Sequence, residues 1–332
     1  YMYDLSVYFL TPDQQLLPLY KEYLFIRMIG LPAGLLNIVF LGWFFGMQKT
    51  KSVMLQLVII NLMNVIASLY LAVYLEYGIF GVALGSVLAQ ISGLLLSIII
   101  FLNHFKTLNF SSFDLKKIIN LNGFLNLFSI SKNLFVRTMI LVSVQAYLIK
   151  KSGLIGVDQL ATMEILIVIF GLSSYTLDAF AHAAESTVGV SIGSKNKKNI
   201  YKSIKNTTEF ALSFSVLIGI VLYITDYYII NLFTNIPVLQ NLTIDLWTLV
   251  IITPFISMLA FQLDGIFIGA TLAKEMRNSM ILSSLIFYLI IEFIIQDTLN
   301  LKNLYSCFLL FLILRGVFLT FYLPRVFKLI KN

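Results

Sequence analysis

The 332 residues are 59% hydrophobic and only 12% charged, carry a formal net charge of +7, and include one cysteine and two histidines. A soluble globular chain has about 25% charged residues, so this one cannot cover its own surface with polar groups. A disulfide scaffold and a Cys/His metal cluster are excluded with Cys307, His104 and His182 as the whole complement.

What remains is a polytopic integral membrane protein, all-α, since long unbroken apolar runs do not fit the short alternating strands of a barrel. A spanning helix needs about 20 mostly apolar residues. Residues 1–18 read as an extracytoplasmic loop remnant with no signal-peptide pattern. Nine helices are then predicted near 20–46, 52–75, 79–103, 133–149, 160–190, 207–230, 243–268, 278–296 and 303–323. The fifth exceeds one straight crossing, so it is expected to tilt or bend. Between the third and fourth, residues 104–132 form a linker whose amphipathic stretch, Phe113 to Phe128 with Lys116 and Lys117 on its polar side, is expected at the cytoplasmic interface.

Lysine and arginine set the orientation. One set of alternate loops holds Lys49, Lys51, Lys106, Lys116, Lys117, Lys132, Lys195, Lys197, Lys198, Lys202, Lys205, Lys274, Arg277, Arg325, Lys328 and Lys331. The other holds Lys21, Lys150, Lys151 and Lys302. Sixteen against four predicts a cytoplasmic C-terminus, with Lys150–Lys151 the local exception. The cations therefore read as a topology signal, not a nucleic-acid surface.

The chain writes similar text twice. Pro32, Gly42-Trp43-Phe44-Phe45-Gly46, then Lys49 and Lys51 are followed by Pro254, Gly265-Ile266-Phe267-Ile268-Gly269, then Lys274 and Arg277. The prolines are 222 apart and the glycine pairs 223 apart, as in transporters built from parallel six-helix halves. The expected organisation is 19–103 as the last three helices of an N-lobe, 104–132 as the inter-lobe linker, and 133–332 as a six-helix C-lobe with a short cytoplasmic tail. By the same arithmetic roughly 90–110 residues, three helices, precede this sequence in a twelve-helix protein.

Charges inside spans carry the functional information, because each costs several kcal/mol unless paired or hydrated. They are Arg27, Arg137, Glu164, Asp178, His182, Glu185, Asp264, Glu292 and Arg315. Asp178, His182 and Glu185, spaced i, i+4, i+7, share one helix face, and Glu164 lies about 40° off the same line. Such a stripe must face a cavity or another helix. Either these groups form a static network joining helices, or Asp178, Glu185 and Asp264 bind a cation or exchange protons, burial favouring the neutral acid and a cationic substrate or Arg137 the carboxylate. Arg137 reads equally as a cytoplasmic-edge anchor, Arg315 as a partner of an acid such as Glu292, and His182 as a satisfied polar contact.

Gly189-Val190-Ser191-Ile192-Gly193 spells G-x-S-x-G, but it ends an apolar helix, where a hydrolase elbow cannot form. With 42–46, 81–85 and 265–269 it reads better as a helix close-packing site. No Walker, G-x-G-x-x-G or H-E-x-x-H sequence is present, so no cofactor is expected and energy would come from an ion gradient.

These residues resemble the MATE (multidrug and toxic compound extrusion) transporters, in particular their DNA-damage-inducible, DinF-like branch. The text Leu263-Asp264-Gly265-Ile266-Phe267-Ile268-Gly269-Ala270-Thr271 followed by Glu275-Met276-Arg277-Asn278 is similar to that branch's tenth helix and loop. Leu177 to Glu185 with Gly189 and Gly193 resembles its eighth helix, Ile26-Arg27 through Gly46 its fourth, and Arg137-Thr138 and Leu314-Arg315-Gly316 its seventh and twelfth. The resemblance implies two six-helix lobes in a V, rocking to export cationic or amphipathic compounds in exchange for H⁺ or Na⁺, as a monomer in the bacterial inner membrane. Its second-lobe acids carry over to Asp178, Glu185 and Asp264, with His182 and Arg137 beside them. The chain departs from the family at Ser68, where relatives carry Asp, and at Ala179, His182 and Met163; Asn61 and Asn64 match. An antiporter ranks first, a truncated non-transporting remnant second, a lipid-linked glycan flippase third because acids stand where a basic cavity is needed, and a membrane-embedded enzyme last.

Overall fold

A computed structural model describes residues 17–105 and 121–329. They form helices α1 (Leu17–Gly46), α2 (Thr50–Leu69), α3 (Gly78–Phe105), α4 (Leu121–Ile155), α5 (Val157–Gly193), α6 (Lys197–Ile224), α7 (Asp226–Phe233), α8 (Pro237–Asp245), α9 (Trp247–Gly269), α10 (Ala273–Leu289) and α11 (Leu301–Lys328). Nine of them are long and apolar enough to cross a membrane, matching the nine predicted segments in order. The chain is an all-α integral membrane protein.

Boundaries differ where hydropathy is a poor guide to backbone. The fourth segment begins at Leu121, because Asn126, Ser129, Ser131 and Lys132 are tolerated on an exposed helical surface outside the apolar stretch. The expected interfacial stretch is thus, from residue 121, the first turns of α4; its residues 113–120 lie outside the described residues, as do residues 1–16. The sixth segment stops at Ile224 instead of running to 230. A new helix starts at Asp226, whose Oδ1 accepts the Tyr227 amide at 2.6 Å.

The chain divides into two compact units, Tyr1–Asp114 and Leu115–Asn332. In the first, α3 packs on α1 and α2. Gly81 and Gly85 bring α3 against the backbone of the α2 end: a Cβ at either would lie 2.6 Å from Leu71–Ala72 or Ser68 backbone atoms. A buried amide cluster joins all three helices, with Asn37 donating to the Gln90 carbonyl (2.8 Å) and side chain (2.9 Å), and Gln56 donating to the Asn37 carbonyl (3.0 Å). In the second unit α9 is the hub, touching α5, α6 and α11, and it is the most buried of the nine spans. Met163, Leu166, Trp247, Phe287, Tyr305, Phe308 and Phe311 fill one side of the unit's interior, and Ala184, Val188, Leu263, Phe267 and Met276 another. Two aromatic polar groups that enter this core are hydrogen-bonded: Trp247 donates to the Leu222 carbonyl at 3.0 Å, and Tyr305 meets Thr253 at 3.0 Å.

The textual repeat is also a structural one. Helix ends at Gly46 and Gly269, starts at Thr50 and Ala273, starts at Gly78 and Leu301, and ends at Phe105 and Lys328 are all 223 residues apart. Both middle helices finish in a π turn, Tyr70–Tyr74 and Ile290–Ile294, closed by amides of Leu75 and Ile295.

Three turns share one geometry. Helices end on Gly46, Gly193 and Gly269; two residues later Gln48, Lys195 and Thr271 take φ of 56°, 52° and 58°. Helices restart at Thr50, Lys197 and Ala273. In each turn the left-handed residue's amide and the next one bond back: Gln48 to Phe45 O and Lys49 to Phe44 O, Lys195 to Ile192 O and Asn196 to Ser191 O, Thr271 to Ile268 O and Leu272 to Phe267 O. This is the Schellman arrangement, which satisfies carbonyls a helix end leaves open.

Candidate functional site

The site begins with two glycines. A Cβ at Gly265 would collide with the Ala181 backbone and one at Gly269 with that of Glu185, so α9 and α5 touch main chain to main chain. Gly189 adds to this seam, meeting Gly269 O at 3.4 Å. Of the four expected close-packing sites, 265–269 and 81–85 therefore serve as such. Gly42, Gly46 and Gly193 have no described atom within 4 Å of a Cβ, because a glycine repeat packs only where a facing helix approaches.

The seam places Asp264 on α9 near the acids of α5. Asp264 is buried and accepts from Arg137 of α4 and Arg315 of α11 on the same oxygen, Oδ2. One carboxylate thus ties three helices. Arg315 is 2% exposed, with its guanidinium 5.4 Å from the Phe261 ring centre. Removing one partner of a buried ion pair costs about 3–5 kcal/mol. Of the two readings of Arg137, the structure shows the cation beside an acid and not the edge anchor. Arg315 forms a helix-packing ion pair as expected, with Asp264 in place of Glu292. Glu292 is held at the far end of α4, by Lys151 at 2.8 Å and by Tyr147.

Asp178 behaves differently. It is half-buried, accepts no hydrogen bond from the described residues, and has Arg315, Arg137 and His182 as charged neighbours. It lines a cavity of about 430 Å³ within the second unit, with Arg315, Gln145, Ser174 and the apolar side chains of Leu141, Ile167, Phe170, Leu172 and Phe261. The remaining residues of the stripe stand apart. His182 is exposed and its Nδ1 lies 3.2 Å from Glu185 Oε2, and Glu164 is exposed on the N-terminal half of the same helix. The structure thus gathers Arg137, Asp178, Asp264 and Arg315, and pairs His182 with Glu185 on α5. The site is not purely acidic: two arginines balance two aspartates.

Sequence reasoning missed several polar contacts around this site. Gln262, two residues before Asp264 and 1% exposed, donates to Thr207 (2.7 Å) and Thr208 (3.3 Å) of α6. At the start of α10, Glu275 binds Arg325 at 2.7 Å and Arg277 donates to Asn133 at 2.7 Å. Opposite-charge spacing across different helices was the only available signal, and it has no fixed sequence period.

Comparison with known proteins agrees with this architecture. Residues 134–294 match the MatE family model. DNA damage-inducible protein F of Escherichia coli is 27% identical over 314 residues, covering 95% of this chain and 68% of that protein. Protein DETOXIFICATION 43 of Arabidopsis thaliana is 23% identical over 272 residues, covering 80% of this chain; the chain spans 49% of its length. Among solved structures, a Vibrio cholerae MATE transporter superposes with a TM-score of 0.88 at 14% identity over 98% of this chain and 76% of its own. A Pyrococcus furiosus MOP superfamily transporter, described by the reverse polarity of its binding pocket, superposes at 0.83 and 16% identity over all of this chain and 75% of its own. The chain thus carries a MatE family-model domain over residues 134–294, is similar over 95% of its length to DNA damage-inducible protein F, and shares the nine-helix fold seen in MATE transporter structures.

Proposed function

We propose that the protein is a secondary active exporter that moves cationic or amphipathic small molecules in exchange for H⁺ or Na⁺, as a monomer in the bacterial inner membrane with its C-terminus in the cytoplasm. The observation that carries this reading is the division of labour between two carboxylates of one membrane-embedded site. Asp264 is locked by two arginines, whereas Asp178 faces a largely apolar cavity and accepts no hydrogen bond from the described residues. A carboxylate in such a place can take either a proton or an organic cation, and competition between them couples the two flows. On this reading Asp178 is the exchanging residue, Asp264 with Arg137 and Arg315 holds α4, α9 and α11 in register, and His182–Glu185 is a second polar station on the same helix. Export would follow from rocking of the two lobes, the motion the family resemblance implies.

The flippase alternative requires free cations to hold a diphosphate, and both arginines are committed to Asp264. The test is gradient-driven transport in proteoliposomes. With an imposed pH or Na⁺ gradient, ethidium should move against its own gradient, and Asp178→Asn should abolish that movement while the protein keeps its wild-type melting point. Wild-type transport by Asp178→Asn would sink the assignment.

A further inference from the structure

The end of the second unit opposite the turns after Gly193 and Gly269 holds a separate cavity of about 490 Å³. Helices stop and start around it: α4 ends at Ile155, α5 begins at Val157, α8 ends at Asp245 and α11 begins at Leu301. Ile155 and Leu242 give it apolar wall, and Gln159, Asp245, Asn300 and Lys302 give it polar wall. Asn300 is committed locally. It caps α11, accepting from the Asn303 amide at 2.8 Å and donating to the Thr298 carbonyl at 3.3 Å. The other three are not. Among the described residues Asp245 and Lys302 form no ion pair, with each other or with another group, and the Gln159 side chain makes no hydrogen bond. A simple cation would suit Asp245 and be repelled by Lys302, and a simple anion the reverse. An uncharged body would take water from both and give nothing back. A molecule carrying an ammonium and an anionic group matches the pair. The rim narrows the class further. Leu154, Val157 and Ile244, each within two residues of a lining residue, are exposed. Apolar side chains exposed at the ends of membrane-crossing helices lie at the boundary of headgroups and acyl chains.

We propose that this cavity binds the headgroup of an ethanolamine phospholipid. Asp245 receives the primary ammonium, Lys302 the phosphate, and Gln159 a hydrogen bond from either, while the acyl chains run along Leu154, Val157 and Ile244. The same chemistry rejects other bilayer lipids. A choline headgroup has both charges but no N–H to donate to Asp245 or Gln159. A glycerol headgroup brings the phosphate without the ammonium, and sets a net negative lipid against Asp245. The site is independent of the export reading, since none of its residues belongs to the Asp178 cavity.

Native mass spectrometry of the detergent-purified protein, with dioleoyl phosphatidylethanolamine, phosphatidylcholine or phosphatidylglycerol added, counts the lipid retained. The ethanolamine lipid should bind about threefold or more tightly than either of the others, the gain from one charged contact at a partly screened site. Asp245→Asn should remove its advantage over the glycerol lipid. Lys302→Gln should weaken all three, since all carry the phosphate. Leu242→Trp, which fills the cavity without altering a charge, should abolish the preference. Lys202→Gln, an equally exposed lysine at the other end of the unit, should change nothing. Glycerophosphoethanolamine, the headgroup without its chains, separates a lipid from a soluble source and should not displace the lipid at equal concentration. Equal retention of the three lipids by the wild-type protein overturns the proposal, and that comparison decides the matter even if a variant proves unstable. A preference that survives Leu242→Trp overturns it too, as does a loss in Lys202→Gln as large as in Lys302→Gln. Displacement by the chain-free headgroup at equal concentration overturns the lipid as occupant.

Discussion

Gly42 and Gly265 occupy equivalent positions in the repeat, yet replacing each with alanine should have opposite effects. At 265 the new methyl would stand 2.6 Å from the Ala181 carbonyl carbon and 2.7 Å from its Cα. Those are main-chain atoms and cannot rotate aside, so α5 and α9 would have to part by roughly 1 Å to reach ordinary contact distance. Overpacking of this kind costs about 1–3 kcal/mol. Separation along the seam also forfeits dispersion contacts at every turn, so the expected loss is at least about 3 kcal/mol. For a unit the size of Leu115–Asn332, which holds the seam, that corresponds to a fall of about 6–12 °C in the melting point. At 42 nothing described lies within 4 Å, and alanine should gain about 0.5–1 kcal/mol by restricting the unfolded chain. Thermal loss of helical circular dichroism in detergent micelles measures both variants. Labelling of the buried Cys307 thiol, the only cysteine in the chain, reports the second unit separately. A Gly265→Ala protein as stable as wild type, or an equal loss in Gly42→Ala, would refute the close-contact reasoning.

Asp264→Asn should destabilise by about 3–5 kcal/mol, since it leaves two buried guanidiniums short of their counter-charge, whereas Asp178→Asn should stay within about 0.5 kcal/mol; paired melting curves check both. Thr271→Gly should stabilise by about 1 kcal/mol, because a β-branched residue is held at φ 58°, and Lys195→Gly should gain less; urea or thermal titration of both gives the order. Arg325→Ala should cost under about 1 kcal/mol despite the 2.7 Å contact with Glu275, as the arginine is largely exposed and its charge screened; a larger loss in the melting curve would mean that the pair clamps the α10–α11 ends.

The sequence was most informative where membrane thickness dictates the answer. Nine apolar stretches could be counted because lipid forces every crossing to be a helix of similar length. Helix ends were less legible: α4 runs on past Lys132 to Leu121 because nothing in its backbone stops it, even though the apolar stretch has ended. Asp178 and Asp264 could be singled out as charges in apolar surroundings, but their partners could not. Arg137 is 127 residues from Asp264 and Arg315 is 51 away, so only the fold joins them. The glycines show the same limit from the other side. Gly42-x-x-x-Gly46 and Gly265-x-x-x-Gly269 are alike as text, and only the arrival of Ala181 and Glu185 at the second makes it a packing seam.

The three Schellman turns have an electrostatic consequence. A helix begins with a partial positive charge from its unpaired amides, and a nearby cation there is unfavourable by about 0.3–1 kcal/mol. Yet Lys49 and Lys51 open α2, Lys197 and Lys198 open α6, and Lys274 opens α10; the first turns of α2 and α6 contain no acid. Each turn thus sets its cations at the worse end of the next macrodipole. Glutamates there would strengthen the helices and weaken the bias that keeps these turns on the proposed cytoplasmic side. Placed as they are, the lysines give up helix-terminal energy for the direction in which the chain enters the membrane.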